Sequence, residues 1–128
     1  MGKRILVVDD DLDFQEATSA LLEAKGYEVI LAASGEECIK KAKEYNPSLI
    51  LLDVMMADKT EGFQTARKIQ EDEAIKDTPV LITTAIGREM NLPFKFEADE
   101  AWLPVKGVLE KPIKPELLLS EVDKWIKD

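Results

Sequence analysis

Residues 49–53 read Leu49-Ile50-Leu51-Leu52-Asp53, four consecutive apolar residues followed by a carboxylate. Such a run predicts a strand that is buried on both faces, as in a parallel sheet. Residues 5–8 repeat the pattern, because Ile-Leu-Val-Val leads directly into the aspartates at residues 9–11. In open α/β sheets, ligands bind in the crevice outside the carboxyl ends of the strands. Acids at the ends of both strands therefore predict a functional site rather than a packing role.

The composition predicts one small, acidic domain. The 128 residues, of which 45% are hydrophobic, suffice for a single core, and we expect one domain that spans residues 1–128. A net charge of -9 disfavours direct binding to nucleic acid or to an anionic membrane, and is compatible with a basic protein partner. The absence of histidine excludes histidine-based triads, histidine metal ligands and a phosphohistidine carrier.

The single cysteine, Cys38, cannot form an internal disulfide. It falls on the apolar face of a predicted helix, where a buried thiol is far more common than a reactive one. The apolar run that follows the first four residues is too short for a signal peptide or a membrane span. We therefore expect a reducing, cytoplasmic setting.

Apolar runs alternate with amphipathic segments along the whole chain. The remaining strands are predicted at residues 29–32, 80–82 and 108–109. Between residues 86 and 105, Pro93 and Pro104 interrupt the pattern, which predicts a short or irregular fourth helix. Strands that alternate with helices form right-handed βαβ units. We therefore predict an α/β fold, a doubly wound, five-stranded parallel sheet with the flavodoxin-like order 2-1-3-4-5.

Local signals mark the helices. The apolar face of the first helix is predicted to contain Phe14, Ala17, Leu21 and Leu22. Capping boxes are predicted at Asp13 with Glu16 and at Ser34 with Glu37. Helix ends and starts are indicated at Gly26, at Asn46-Pro47 and at Pro115.

This strand order predicts a cluster of acids. Asp9 and Asp10 meet Asp53 across neighbouring strand ends, with Thr84 at the end of the next strand and Lys111 after the fifth. Three adjacent carboxylates repel one another unless a cation is present, and a ligand set of oxygens alone favours Mg²⁺. A carboxylate is also able to act as a nucleophile and become an aspartyl phosphate. The metal, the ammonium and the hydroxyl then stabilise the oxygens of the transferring phosphoryl group.

Four motifs stand in this order along the chain: Val7-Val8-Asp9-Asp10, Leu52-Asp53-Val54-Met55-Met56, Thr84-Ala85 and Lys111-Pro112-Ile113. With them the chain resembles, over essentially its whole length, the receiver domains of two-component response regulators, including the stand-alone chemotaxis type. The resemblance implies a phosphoryl acceptor that assists its own phosphorylation and slow dephosphorylation, and not a separate enzyme. Its output would run through protein–protein interaction.

The resemblance also implies roles for individual residues. Asp53 would accept a phosphoryl group from the phosphohistidine of a sensor histidine kinase or phosphotransfer protein, and Thr84 and Lys111 would contact the phosphoryl oxygens. The implied ligands of Mg²⁺ are Asp9, Asp10, Asp53 and the backbone carbonyl of Met55. An unidentified downstream protein would receive the signal, and neither nucleic acid nor a membrane is an expected partner.

The chain departs from the family pattern at the switch aromatic, where Val108 stands instead. The signal must then be read out differently, and we expect the segment that contains Phe94, Phe96 and Trp102 to take part. Met55 and Ile86 occupy positions where polar side chains in the family help water to attack the acyl phosphate. Two apolar side chains there predict a slowly hydrolysing phosphoryl form.

Two other functions fit parts of the sequence. The first is a receiver-like interaction module that is not phosphorylated, which Val108 and the altered fourth-helix region favour. The second is a phosphatase of the haloacid dehalogenase type, because Asp9 and Asp11 form an Asp-x-Asp motif after a strand. Asp13 argues against the phosphatase, since that family has threonine or valine at this position.

Overall fold

The structure, a computed structural model, describes residues 3–53, 61–84, 107–110 and 113–126. Its strands are β1 (Arg4–Val8), β2 (Glu28–Ala32), β3 (Leu49–Asp53), β4 (Val80–Thr84) and β5 (Gly107–Glu110). They form one sheet in the order β2-β1-β3-β4-β5, and every neighbouring pair is parallel. The predicted order 2-1-3-4-5 is confirmed, and β1 and β3 are neighbours near the centre of the sheet.

The helices of the described residues are α1 (Leu12–Ala24), α2 (Gly35–Tyr45), α3 (Glu61–Glu71) and α4 (Pro115–Trp125). Each of the first three follows the strand of the same number, and α4 follows β5. The helix predicted between β4 and β5 falls in residues 85–106, which lie outside the described residues. In the part of the chain that is described, no helix has both the length and the apolar character that a bilayer crossing requires.

The core lies on both faces of the sheet, as a doubly wound fold requires. One face packs against α2 and α3 in a cluster that includes Leu6, Val8, Ile50, Leu52, Cys38, Ala66 and Ile69. The other packs against α1 and α4 in a cluster that includes Ile5, Val7, Leu49, Leu51, Leu22, Leu118 and Val122. Full burial stabilises the fold by about 1.5–3 kcal/mol for each large apolar side chain, so β1 and β3 contribute to stability on both faces.

The start of α1 differs from the sequence prediction. Its N-cap is Asp11, whose carboxylate accepts hydrogen bonds from the N–H groups of Asp13 and Phe14, so the predicted capping box at Asp13 is wrong. Asp11 is the cap because its side chain accepts from two of the backbone N–H groups that have no partner within the helix. The buried residues of α1 are Gln15, Thr18 and Leu22, whereas the predicted core residue Ala17 is exposed.

The ends of α2 agree with the prediction. Ser34 is the N-cap, and its Oγ accepts a hydrogen bond from the N–H of Glu37. The Glu37 carboxylate accepts from the N–H of Ala33, one residue before the cap. Asn46 ends the helix in the left-handed conformation, with a φ of 50°. Asparagine tolerates this conformation better than most residues do.

Candidate functional site

The site lies at the C-terminal ends of the two neighbouring strands β1 and β3. Val8, the last residue of β1, pairs with Leu52 of β3, and each is followed by an aspartate. Asp9 and Asp53 therefore emerge side by side from adjacent parallel strands. Asp10 extends the acidic group from the loop that leads into α1.

The side chains of Asp9, Asp10 and Asp53 converge at this edge. Each offers a carboxylate oxygen, and these oxygens all lie within 4.8 Å of one another. Asp9 is 0% exposed and Asp53 is 2% exposed, while Asp10 faces solvent. The cluster therefore combines two buried carboxylates with one that is exposed to solvent.

This donor set fits a small, hard divalent cation. At such separations two unit negative charges repel by roughly 3–4 kcal/mol in a medium of effective dielectric constant about 20. A divalent cation converts that repulsion into attraction. Mg²⁺ prefers oxygen ligands at about 2.1 Å, so that its opposite ligands lie about 4.2 Å apart and its adjacent ligands closer, and oxygens within 4.8 Å of one another are near enough to share one ion. The carboxylates of the cluster are thus suited to one magnesium ion that keeps some of its water ligands.

Hydrogen bonds orient the first acid of the cluster. The N–H of Asp11 donates to Asp9 Oδ1 at 2.8 Å, and Asp11 in turn caps α1. Asp11 therefore belongs to the turn and the cap of α1. The direction of the Asp9 carboxylate is thereby linked to the start of the helix.

Gln15 is a residue of this region that the sequence analysis missed. Its side chain is buried, and its Nε2 donates to the carbonyl oxygens of Asp9 at 2.7 Å and Ala32 at 2.9 Å. Its burial was indicated by its position three residues before Thr18 and seven before Leu22, because residues at this spacing lie on one face of a helix. A search for apolar residues alone passes over a buried amide on that face.

The structure describes only some of the other predicted site residues. Thr84 is the last residue of β4, where it pairs with Glu110 of β5, so its backbone lies at the same edge of the sheet as Asp53. Lys111 follows the last residue of β5 in sequence, and both Lys111 and Met55 lie outside the described residues. The aromatic segment from Phe94 to Trp102 lies outside them as well, as does Ile86.

Cys38 has no part in the acidic cluster. It is 0% exposed in the core between the sheet and α2, as predicted. Burial raises the pKa of its thiol to about 12, so the thiol stays protonated at neutral pH. A protonated, inaccessible thiol is neither a nucleophile nor a metal ligand.

Comparison with known proteins places these features in a family context. The family profile described as "Response regulator receiver domain" matches residues 5–123. The transcriptional regulatory protein ResD of Bacillus subtilis is 41% identical over 119 residues, which cover 93% of this chain and 46% of ResD. The chain spans about half the length of the curated relatives that it matches first.

Two solved structures share the fold over nearly the whole chain. The chemotaxis protein CheY4 of Vibrio cholerae has a TM-score of 0.83 and 30% identity, and the match covers 98% of this chain and 99% of that one. The receiver domain of the sensor histidine kinase PA1611 from Pseudomonas aeruginosa has a TM-score of 0.80 and 25% identity, with 98% coverage of both chains. That receiver domain has a magnesium ion coordinated in its active site cleft.

Proposed function

This chain belongs to the response regulator receiver domain family, and we propose that Asp53 accepts a phosphoryl group from the phosphohistidine of a partner protein. The observation that carries the proposal is the convergence of Asp9, Asp10 and Asp53, whose carboxylate oxygens lie within 4.8 Å of one another at the ends of two adjacent strands. Such a cluster is unfavourable without a cation, and with one it is a binding site for a phosphoryl group.

The proposed step is a phosphoryl transfer from nitrogen to oxygen. A carboxylate oxygen of Asp53 attacks the phosphorus, a P–O bond forms, and the P–N bond to the donor imidazole breaks. The imidazole keeps the bonding electron pair and takes a proton from solvent, and the product is an acyl phosphate on Asp53. The apolar residues Met55 and Ile86, at positions where polar side chains in the family help water to attack, favour slow hydrolysis of that acyl phosphate.

Asp9 and Asp10, with Asp53 and the backbone carbonyl of Met55, would hold Mg²⁺. The ion supplies positive charge against the oxygens of the transferring group. In the same proposal Thr84 donates its hydroxyl proton to one phosphoryl oxygen, and the ammonium of Lys111 pairs with another. The positions of both residues, directly at or after the ends of β4 and β5, support these roles.

The proposed partners follow from this chemistry. The donor is a sensor histidine kinase or a phosphotransfer protein, because this chain contains no histidine of its own. The recipient of the signal is another protein, which the net charge of -9 favours over nucleic acid or an anionic membrane. We propose that residues 1–128 act as a single receiver domain in the cytoplasm, where the thiol of Cys38 stays reduced.

A receiver-like module that signals without phosphate is the second candidate. The valine at position 108, in place of the family's switch aromatic, favours it. The acidic cluster argues against it, because a protein that never binds a metal or a phosphoryl group has no use for repelling carboxylates. Membership of the receiver family removes the support for a haloacid dehalogenase phosphatase.

A phosphorylation assay tests the proposal. Incubation with a small phosphodonor, such as phosphoramidate or acetyl phosphate, should add one phosphoryl group to the chain when Mg²⁺ is present and none when it is chelated. The Asp53→Asn variant should stay at background, because an amide is not a nucleophile at neutral pH. Asp13→Asn is the matched control, since Asp13 is an exposed acid in the first turn of α1 and should leave incorporation unchanged.

Two results would count against the proposal. Incorporation of the same extent in Asp53→Asn would place the phosphoryl group on another residue. A wild-type chain that takes up no phosphoryl group from either donor, while its circular dichroism shows a folded protein, would favour the unphosphorylated module.

A further inference from the structure

Gln15 is a buried polar side chain outside the set of residues that would touch the phosphoryl group. It is the fourth residue of α1 and is 5% exposed. Burial of an amide is unfavourable unless its donors find partners. Its Nε2 donates two hydrogen bonds, both to backbone carbonyls at the carboxyl edge of the sheet, those of Asp9 and Ala32.

These bonds fix the backbone of Asp9 from two directions. The N–H of Asp9 donates to the carbonyl of Ala32 at 3.0 Å, and the carbonyl of Asp9 accepts from Gln15 at 2.7 Å. The Ala32 carbonyl accepts from Gln15 as well, at 2.9 Å, so one amide joins the ends of β1 and β2 to α1. The Asp9 side chain has its own bond, from the N–H of Asp11.

The geometry of the peptide bond carries this constraint to Asp10. The carbonyl of Asp9 and the N–H of Asp10 share one rigid plane. Holding the carbonyl oxygen therefore fixes the plane, and with it the positions of the N and Cα atoms of Asp10 from which its side chain extends. Asp10 is exposed, so it has few packing contacts that would hold it against repulsion from the other carboxylates.

We propose that Gln15 is a positioning residue for the divalent cation, acting through the Asp9–Asp10 peptide. The inference rests on the proposed function, in which these carboxylates hold Mg²⁺. Gln15 does not touch the ion. Its bonds to two strand ends keep the carboxylates of Asp9 and Asp10 in a fixed arrangement before the ion arrives, which removes the cost of ordering them during binding.

This role predicts an effect on ion selectivity as well as on affinity. Mg²⁺ demands near-ideal octahedral geometry, whereas Ca²⁺ accepts irregular arrangements with longer bonds. Loss of the Gln15 anchor should therefore weaken Mg²⁺ binding more than Ca²⁺ binding. A residue that merely stabilises the fold would not change the ratio of the two affinities.

Gln15→Met tests the proposal, because methionine is similar in size and shape but donates no hydrogen bond. NMR-monitored titrations of the full chain with MgCl₂ and with CaCl₂ give both dissociation constants. We expect the constant for Mg²⁺ to rise about tenfold or more, as for other residues that support metal ligands. The constant for Ca²⁺ should rise by less than about threefold.

Thr18→Val is the matched control. Thr18 is 3% exposed, lies one turn further along the same face of α1, and loses a buried hydroxyl in the variant while keeping its shape. Its constants for both ions should stay within about twofold of the wild type, because the variant keeps the bonds of Gln15 to the two strand ends. Circular dichroism shows that each variant is folded under the conditions of the titration.

The outcomes separate this inference from the proposed function. A wild-type chain that binds no Mg²⁺ overturns both. If the wild type binds Mg²⁺ and Gln15→Met binds it equally well, or loses Mg²⁺ and Ca²⁺ affinity to the same extent, the positioning role is wrong and the proposed function stands. If Gln15→Met does not fold, Gln15→Asn takes its place in the titrations. The asparagine side chain is one methylene shorter, so its amide is unable to reach both carbonyls. Unchanged Mg²⁺ affinity of Gln15→Asn would overturn the positioning role.

Discussion

Asp9 and Asp53 are nearly inaccessible carboxylates at the ends of adjacent strands, with exposures of 0% and 2%. Burial of a charge is unfavourable unless hydrogen bonds, opposite charges or a metal compensate. At Asp9 the structure shows part of the compensation, because the side chain accepts a bond from the N–H of Asp11. A bound divalent cation would complete it. Binding of the ion to the folded chain alone would also stabilise the fold.

Gly26 is required by the backbone at the end of α1. Its φ is +93°, a conformation that side chains of L residues rarely adopt. The N–H of Gly26 donates to the carbonyl of Glu23, and the N–H of Tyr27 donates to that of Leu22, which together form a Schellman motif. An added Cβ would meet nothing within 4 Å, so the constraint comes from the backbone and not from packing.

We therefore expect Gly26→Ala to lower the free energy of unfolding by about 1 kcal/mol, the typical cost of placing a side chain in the left-handed region. Gly26→Asn should lose less, because asparagine tolerates this region. Urea unfolding measures both values. Equal stability of the alanine variant and the wild type would show that the helix end relaxes to another conformation.

At the scale of the elements, α2 and α3 are joined by an ion pair as well as by the core. The Nζ of Lys43, in the last turn of α2, lies 2.9 Å from Oδ2 of Asp72, which follows α3. Asp72 also accepts a bond from the N–H of Ala74. The hydrogen bond from Lys43, followed by that from Ala74, lowers the pKa of Asp72 from its ordinary value of 3.8.

This shift predicts a dependence of stability on pH. Because the pKa of Asp72 is lower in the folded chain, its stabilising contribution is fully present above pH 3.8 and is lost as the pH falls through the folded-state value. Lys43→Met should raise the pKa of Asp72 in an NMR titration. The variant should be less stable than the wild type at neutral pH, and the difference should shrink in acid.

Lys76→Met provides the comparison for this prediction. Lys76 pairs with Glu73 at 3.3 Å, and the Glu73 side chain is 87% exposed, so solvent screens the pair. Its loss should leave the titration of Asp72 unchanged. A Lys43→Met variant with the same Asp72 titration as the wild type would show that the ion pair does not form in solution.

The elements themselves were largely predictable from sequence, because their signals are local. The apolar run of β3, the serine cap of α2 and the proline at the start of α4 each act within a few residues. The start of α1 was not predicted correctly, since Asp9, Asp10, Asp11 and Asp13 all offer a capping carboxylate. Only the backbone path decides that Asp11 caps the helix while Asp9 turns toward the site.

At the scale of the whole molecule, the strand order follows from the alternation of strands and helices and from the right-handedness of the connections. That order is what brings Asp53 beside residues more than forty positions earlier in the sequence. Gln15 was not predicted, because its contribution depends on where two strand ends meet. A sequence pattern reports which face a residue lies on, but not which carbonyl its amide reaches.

The most direct measurement is a crystal structure of the chain with Mg²⁺ and beryllofluoride, a stable mimic of the phosphoryl group. We expect beryllofluoride on the carboxylate of Asp53 and one Mg²⁺ held by Asp9, Asp10, Asp53 and the backbone carbonyl of Met55, with metal–oxygen distances of about 2.1 Å. Thr84 and Lys111 should contact the fluorine atoms. A metal bound away from this cluster, or beryllofluoride absent from Asp53 in a crystal that contains both reagents, would show that Asp53 is not the phosphorylation site proposed here.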